Sequence, residues 1–564
     1  VSRSNQTQEP RPLGRGFLLG DPVLLVGVGL LFAWCVGGAA PSVFWEDSGN
    51  LVASAWLLGV PHAPGEPGWL IPARLLMWLP VGDLAFRANL FSSAALAAIA
   101  VPLWWMLRAS VPRPRAAVVL FVVLAGLIGY HARLQAVRAE VYALTAALLV
   151  LSLAAAVVLE GRRATVGAAA GLGLAATVHP LLAAAAIPGV AGARWARSPI
   201  RRADVALGLA VGVLPAALYA ALPVRASVVP WRSWGIPTTP GALLDVLLAR
   251  NFVQNFGGEA ADPWTNLGTL LELYRRAGLP FLLALAAFAL LWRGRRPVRA
   301  LLVAAPLWIA GNLATQATQN VVYADNPDVA GYLLPGWLVL VPLAAVGLQA
   351  AWSEDVRASL RLPARVTTAG LAVLLVGLQL LDGADADRRD DHLPARYSST
   401  LGYGLPPGSM LMTSGNNTAF VWTYLEGVER RAPDVLVMHR VLLGHPHDRL
   451  RLERETGGFE AATGLPWVEE LRSRPLSRRS GVSRPFFLEL REGDLDDLAG
   501  TERHGLAVRA DGVIPGGSVD VAAAATLREM GERPLTRDPT ARLVRTRFKA
   551  IRAAETRARA GGAP

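Results

Sequence analysis

The sequence predicts a mainly α-helical, polytopic integral membrane protein: a bundle of about eleven transmembrane helices followed by a small soluble C-terminal α/β domain. Three observations predict it. Of 564 residues, 53% are hydrophobic and 17% charged, against roughly 25% charged in an ordinary soluble domain. The apolar residues gather in the first two thirds of the chain, in runs nearly free of charge. About 20 helical residues cross the ~30 Å hydrocarbon core, which these runs approach or reach. The basic residues fall in the short connections between the runs, and nearly all are Arg; Lys549 is the single lysine. This composition excludes disorder and a single soluble globule. The net charge of +12 does not indicate a nucleic-acid partner, because it is not gathered on one soluble face. One cysteine, Cys35, excludes an intrachain disulfide.

The apolar segments fall near 18–40, 85–107, 116–131, 141–159, 164–178, 181–196, 203–222, 279–292, 300–320, 332–352 and 366–382. The first reads as a retained helix rather than a cleaved signal peptide, since it exceeds the usual length of a signal core. Numbered alternately, the connections put Arg108, Arg113, Arg115, Arg162, Arg163, Arg197, Arg201, Arg202, Arg293–Arg299 and Arg357–Arg365 on one side. Positive charge marks the cytoplasm, so the N-terminus is expected inside and the chain after about 383 outside, at a plasma (inner) membrane. The stretch 164–196 has arginines at both ends and reads as a hairpin with His179-Pro180 at its tip.

The expected domains are 1–385, the transmembrane part with a first outer loop at 41–84, and 386–564, an extracytoplasmic domain. The acidic and basic run 382–391 reads as a solvated linker. Beyond it, 408–413 reads as a strand, 417–426 as a helix and 434–439 as a second strand. The Arg- and Ala-rich end past 540 has the composition of a frayed helix or a disordered tail. No internal repeat is evident.

Polar residues concentrate on the expected outer side. Glu46 and Asp47 follow the first helix; paired carboxylates there can act as base and hydrogen-bond or metal partner. The plain structural alternative is a helix N-cap at Asp47 or Ser48. The Pro-rich link 59–67 would hold His62 near Asp47, between two short interfacial helices at 51–60 and 68–80. Arg138, Glu140, His179, Arg225, Asp325 and Asp328 fall on the same side. Arginines there run against the positive-inside bias; they can form ordinary salt bridges or bind an anionic, membrane-borne substrate, Arg being suited to bidentate phosphate binding. No GxxxxGK[ST] phosphate loop is present, which argues against an ATP-driven pump.

The run Trp45-Glu46-Asp47-Ser48-Gly49, then Leu58-Gly59-Val60-Pro61-His62-Ala63-Pro64-Gly65, then Phe86-Arg87-Ala88-Asn89-Leu90 resembles the protein O-mannosyltransferase-like membrane family. That family's pattern is W-x-D-S-G-E, L-G-x-x-H-P-P-G and R-V-N-L, and its relatives include the transmembrane IPT-domain O-mannosyltransferase. Ala139-Glu140-Val141-Tyr142, His179, Leu222-Pro223-Val224-Arg225, Trp234-Gly235, Asn326-Pro327-Asp328 and Asp434–Val437 follow in the family's order. Asn50 stands where the family has Glu, and Ala63 replaces the first Pro of H-P-P-G.

The resemblance implies a GT-C glycosyltransferase that inverts configuration while moving a mannose-like sugar from a polyprenyl-phosphate donor to a hydroxyl of a protein or glycan acceptor. It implies that Asp47 is the catalytic carboxylate; with Asn50 in the family's Glu position, either Glu46 supplies the second carboxylate or this member has altered activity. His62, Arg87, Arg138, Glu140, His179, Arg225 and Asp328 are the expected substrate-binding residues, Arg225 foremost for the lipid phosphate. A divalent metal ion is an optional cofactor, with no convincing ligand spacing. The rival reading is a non-catalytic transporter or assembly protein that binds lipid-linked glycan.

Overall fold

Helix α1, Pro22–Val36, begins where the Asp21 carboxylate accepts the Val23 N–H and Pro22 fills the first helical position. The structure is a computed structural model. It describes residues 21–250, 262–318, 322–324, 326–403, 405–413, 415–430, 434–439, 442, 445–456, 486–489, 503–504 and 507–509. Asp325, the end past 540 and the N-terminal Arg3, Arg11 and Arg15, which the same alternation places on the cytoplasmic side, lie outside the described residues.

The first loop folds into α2 (Ser48–Leu57) and α3 (Pro67–Leu76). α4 (Leu84–Ala98) runs on into α5 (Ala100–Ser110), and α6 (Ala116–Leu124), α7 (Tyr130–Leu134) and α8 (Tyr142–Val158) follow. α9 (Gly161–Ala176) and α10 (Pro180–Arg197) form the expected hairpin, and α11 (Arg202–Val213) leads through a 3-10 turn into α12 (Ala221–Val228). Next come α13 (Pro240–Leu247), α14 (Pro263–Arg276), α15 (Leu279–Ala287), α16 (Arg296–Ala317), α17 (Pro327–Leu338), α18 (Leu340–Ala350) and α19 (Arg361–Ala384).

Each expected apolar segment contains helix, but their lengths differ, and the 116–131 segment is helical only over Ala116–Leu124 before the chain turns toward α7 at Tyr130. Among the described residues, five helices are long and apolar enough to cross a membrane, or six if the pair 263–276 and 279–292, bent by 69°, is one span. α1 and α8 are shorter, at 15 and 17 residues. The chain is thus a mainly helical integral membrane protein, and eleven crossings stay a reading of the sequence.

Beyond α19, helix α20 (Leu393–Tyr403) precedes β1 (Ser409–Thr413), α21 (Asn416–Gly427), β2 (Val435–His439) and α22 (Pro446–Thr456). β1 and β2 pair in parallel, as a strand-helix-strand unit requires, with Leu411 opposite Val437. β3 (Phe486–Glu489), β4 (Arg503–His504) and β5 (Ala507–Arg509) complete a sheet of order β2-β1-β3-β5-β4. All five residues of β1 are buried, which fits a parallel strand covered on both faces.

Two local expectations are corrected. The 51–60 segment does not lie in the membrane interface: Leu51, Val52, Ala53 and Ala55 of α2 are buried, and α2 packs under α21. The close approach explains Gly49, because a Cβ there would collide with the Phe420 carbonyl. By contrast α3 leaves Ile71 and Leu75 exposed, with Trp78 just beyond it, as an interfacial helix does. Nor is 382–391 a solvated linker. Arg388 donates its backbone N–H to Gly38 O at 2.8 Å, Asp391 is buried, and Tyr397 packs edge-on to Trp45. The C-terminal unit therefore sits directly on the first loop.

Candidate active site

The first loop is fixed from both sides. Asn89 of α4 donates its amide to the carbonyls of Ala40 (2.7 Å) and Ser42 (3.2 Å). Ser48 Oγ accepts the Phe44 N–H. Glu46 has φ of 59° and gives its backbone N–H to the Asn417 side chain of α21. Glu66 also has a positive φ, 45°. Left-handed backbone at non-glycine residues costs about 1–3 kcal/mol each and gathers where a site is over-determined by its surroundings.

Asp47 precedes α2, yet its carboxylate caps no backbone N–H. It turns instead to His62, with Oδ2 3.3 Å from Nε2. The expected proximity of the two is thus present. Asn50 lies one turn along α2 and holds the other side of the imidazole. Its Oδ1 is 2.9 Å from the His62 backbone N and 3.1 Å from Nδ1. A backbone N–H can only donate, so the Asn50 atom facing it is the oxygen. The same oxygen accepts from Nδ1, which turns Nε2 toward Asp47. Glu66 Oε1 stands 3.7 Å from the same Nε2. Phe420 of α21 stacks on the ring at 6.1 Å.

The segment between α7 and α8 supplies the opposite wall. Trp69 Nε1 and Ser92 Oγ hold the Glu140 carbonyl at 3.0 and 3.2 Å. Arg138 is fully buried; its Nη2 donates to Asp328 Oδ1 at 2.7 Å, and Nη1 lies 3.2 Å from Glu140 Oε1. Gln135 donates to the Pro327 carbonyl and accepts from Arg138, tying this segment to the start of α17. His179 at the hairpin tip packs against Tyr142 and Tyr332, at 5.8 and 5.4 Å between centroids. The Gly68 N–H reaches the Thr177 carbonyl and joins the tip to α3.

Five carboxylates crowd around one buried arginine, and their acidities shift accordingly. Burial first, then the charges of Asp328 and Asp47, push Glu46 up to about 8. Burial and Asp328 push Asp47 up to about 7, with Arg138 opposing. Burial raises Glu66 to about 7 against the pull of His62, and raises Glu140 well above the usual carboxylate range. Burial works against the charge on Arg138, but Glu140 and Asp328 hold its proton more firmly than usual. Asp47 is the accessible member: its side chain is 26% exposed, against 13% for Asp328 and 1% for Glu140.

Two expected binding residues are not brought to this cluster. Arg87 gives its guanidinium to the carbonyls of Met77, Val81 and Gly82 and clamps the turn after α3. Arg225 donates to the carbonyls of Leu58 (2.6 Å) and Leu57 (3.3 Å), at the opposite end of α2 from Asp47. Ten helical residues separate those ends, about 15 Å. Arg74 binds the Ala55 and Trp56 carbonyls beside it. The two arginines thus serve as cationic partners for the carbonyl end of α2. Glu66, Asn417, Tyr142 and Tyr332 were not selected from sequence. Glu66 follows His62 in the same Pro-rich link, a signal that was legible, whereas Asn417 joins only through tertiary packing.

Oxygen atoms of Asp47, Glu140 and Asp328 lie within 4.8 Å of one another, the spacing in which carboxylates could hold a cation. Glu140 Oε1 is buried and makes no hydrogen bond, its contact being the 3.2 Å ion pair with Arg138 Nη1, which leaves it free to take a further ligand. The trio differs from the Glu46 and Asp47 pair expected from sequence.

Residues 47–197 match the family model described as the protein O-mannosyl-transferase TMEM260 N-terminal domain. The fold is similar to the crystal structure of ArnT from Cupriavidus metallidurans in the apo state, with a TM-score of 0.56 and 15% identity over 88% of this chain and 99% of that one. Against ArnT from the same organism bound to undecaprenyl phosphate, the TM-score is 0.54 and the identity 13%, with the same coverage. The resemblance read from the first loop therefore stands over residues 47–197, which match the model of the TMEM260 protein O-mannosyl-transferase N-terminal domain, and the chain shares the fold of the ArnT structures.

Proposed function

We propose that the protein transfers a mannose-like sugar from a polyprenyl-phosphate donor to a hydroxyl of a protein or glycan acceptor, with Asp47 as general base. The observation that carries this reading is the Asp47 carboxylate. It is spared from helix capping, held by His62, and is the most accessible of the three converging acids. Asp47 takes the acceptor hydroxyl proton as that oxygen attacks the anomeric carbon. The bond from that carbon to the lipid phosphate breaks, and configuration inverts. His62 Nε2, turned toward Asp47 by Asn50 on the other side of the ring, orients that carboxylate. Asn50 thus has a task of its own here, and its place in the family's Glu position does not favour the non-catalytic rival. The bound undecaprenyl phosphate of the ArnT structure supports a polyprenyl-phosphate carrier.

Arg138 is committed to Glu140 and Asp328, where it offsets their charge. A phosphate at Arg225 would lie too far from Asp47 to leave from the same anomeric carbon. Among the expected residues, His62 and His179 remain to face the donor. A divalent ion on Asp47, Glu140 and Asp328 would supply charge to a departing phosphate. That use competes with Asp47 as base, so the two readings separate by experiment. Purified protein is tested for turnover with a panel of polyprenyl-phosphate sugars, with and without chelator. Turnover with one of these donors that persists in chelator is expected. Loss on chelation with recovery on adding Mg²⁺ or Mn²⁺ would make the trio a metal cage, and no turnover with any donor would favour the binding protein.

The pH profile is a further expectation. A base raised to about 7 is unprotonated above that pH and loses activity below it. Turnover should be level near pH 8 and fall about tenfold for each unit below about 7. A flat rate from pH 8 to pH 5.5 would remove Asp47 as the base.

The arginine distribution supports a site on the outer face with the N-terminus cytoplasmic. A reporter active only outside the cytoplasm should work at residue 390 and stay silent at 160; the reverse pattern would overturn this orientation.

A further inference from the structure

Helices α6, α18 and α19 part around a cavity of about 560 Å³, whose walls include Phe121, Leu124, Leu348 and Val376. That is within the range of ~300–1,000 Å³ typical of small-molecule sites. Ala372 and Gly377 keep the α19 wall thin, and a Cβ on Gly377 would meet nothing within 4 Å. Leu120 and Val373 at its rim are exposed on the apolar outside of the bundle, so the cavity opens sideways toward lipid.

Arg115 and Trp352 line one end of this cavity, and Arg365 joins it through the Trp352 ring. Trp352 carries two guanidinium groups on its indole, Arg115 at 4.8 Å and Arg365 at 5.5 Å from the ring centroid. Gln349 accepts the Arg115 backbone N–H at 3.2 Å and fixes the start of α6 there. Among the described residues neither arginine makes an ion pair, and Arg365 Nε is buried without a hydrogen-bond partner. Like charges gathered on one ring repel, and an anion between them removes the repulsion. This end is remote from the carboxylates. Gly383 near the end of α19 accepts from Arg133, in the segment that carries Arg138. Arg365 lies 18 residues earlier in the same helix, about 27 Å away at ~1.5 Å per residue.

We propose that this cavity binds an anionic glycerophospholipid, its phosphate between Arg115 and Arg365 and an acyl chain along α6 and α19. Basic pockets between membrane helices are suited to such headgroups. The donor lipid is not the occupant, because its sugar must reach Asp47 near the opposite end of the bundle.

The full-length protein in nanodiscs of phosphatidylglycerol or phosphatidylcholine, released and weighed by native mass spectrometry, tests this. Wild type should retain phosphatidylglycerol at least tenfold more than phosphatidylcholine, and high salt should reduce the preference. Arg115→Gln with Arg365→Gln should abolish the preference. Ala372→Trp, which fills the cavity and keeps both arginines, should lower retention of phosphatidylglycerol about tenfold, with unfolding temperature checked for each variant. Equal retention of both lipids by wild type would overturn the proposal, as would a preference that survives both changes. Displacement of phosphatidylglycerol by polyprenyl phosphate in the wild type but not in Ala372→Trp would overturn the choice of occupant.

Discussion

Asp47→Asn protein, folded and still binding its lipid-linked donor, is expected to transfer sugar about 10²–10⁴-fold more slowly than wild type. Asparagine keeps the size of the side chain and removes the proton acceptor. Binding should survive, because the carboxylate is part of the acceptor's proton path and not of the lipid's apolar contacts. Glu46 is the control. It is raised to about 8, so much of it is protonated near neutral pH, and Glu46→Gln should leave a slowed but active enzyme. The double variant should be no worse than Asp47→Asn alone within a few-fold, since only one of the two serves as base. Donor binding and transfer are measured on each variant after its folded yield. Full transfer by folded Asp47→Asn would shift the protein to the non-catalytic reading.

Arg138→Met is expected to be the most destabilising single change at the site. Arg138 is fully buried, with Glu140 and Asp328 on its two nitrogens. Removing one partner from a buried ion pair leaves uncompensated charge and typically costs about 3–5 kcal/mol. The loss should depend on pH with a defined sign. Glu140 is already raised above its ordinary value, and without Arg138 it rises further. A carboxyl whose folded value exceeds its unfolded value favours folding when protonated, and that advantage is lost as pH rises through the folded value. The variant should therefore unfold more readily at pH 8 than at pH 6, followed by thermal unfolding in detergent. Equal destabilisation at both values would mean that Arg138 acts through packing alone. Adding Glu140→Gln and Asp328→Asn should restore folded yield without restoring transfer.

The catalytic candidate was legible because it is local. Glu46-Asp47-Ser48-Gly49 follows the first apolar helix, and a His three residues before Gly65 reads the same way in any context. The arginines were not legible in that sense. Arg225 reads from sequence as the foremost phosphate ligand, yet Arg225 and Arg87 hold backbone carbonyls while Arg138 stands among the acids. A guanidinium offers five donors and serves an ion pair, a helix end or a phosphate equally well. Residue type alone does not choose.

The sequence by itself determined the helical segments, the hairpin ending at His179 and the strand-helix-strand start of the C-terminal unit. These depend on sums over neighbouring residues: hydropathy over a window, and turn chemistry at its ends. Tertiary structure alone decided what meets at Asp47. Arg138 finds Asp328 across 190 residues, and Glu46 finds Asn417 across 371. No local pattern encodes partners so remote, because their pairing depends on how α17 and α21 dock against the first loop. That docking crowds five carboxylates around one buried arginine, and the partial desolvation of Asp47 there, with Asp328 beside it, moves it to about 7.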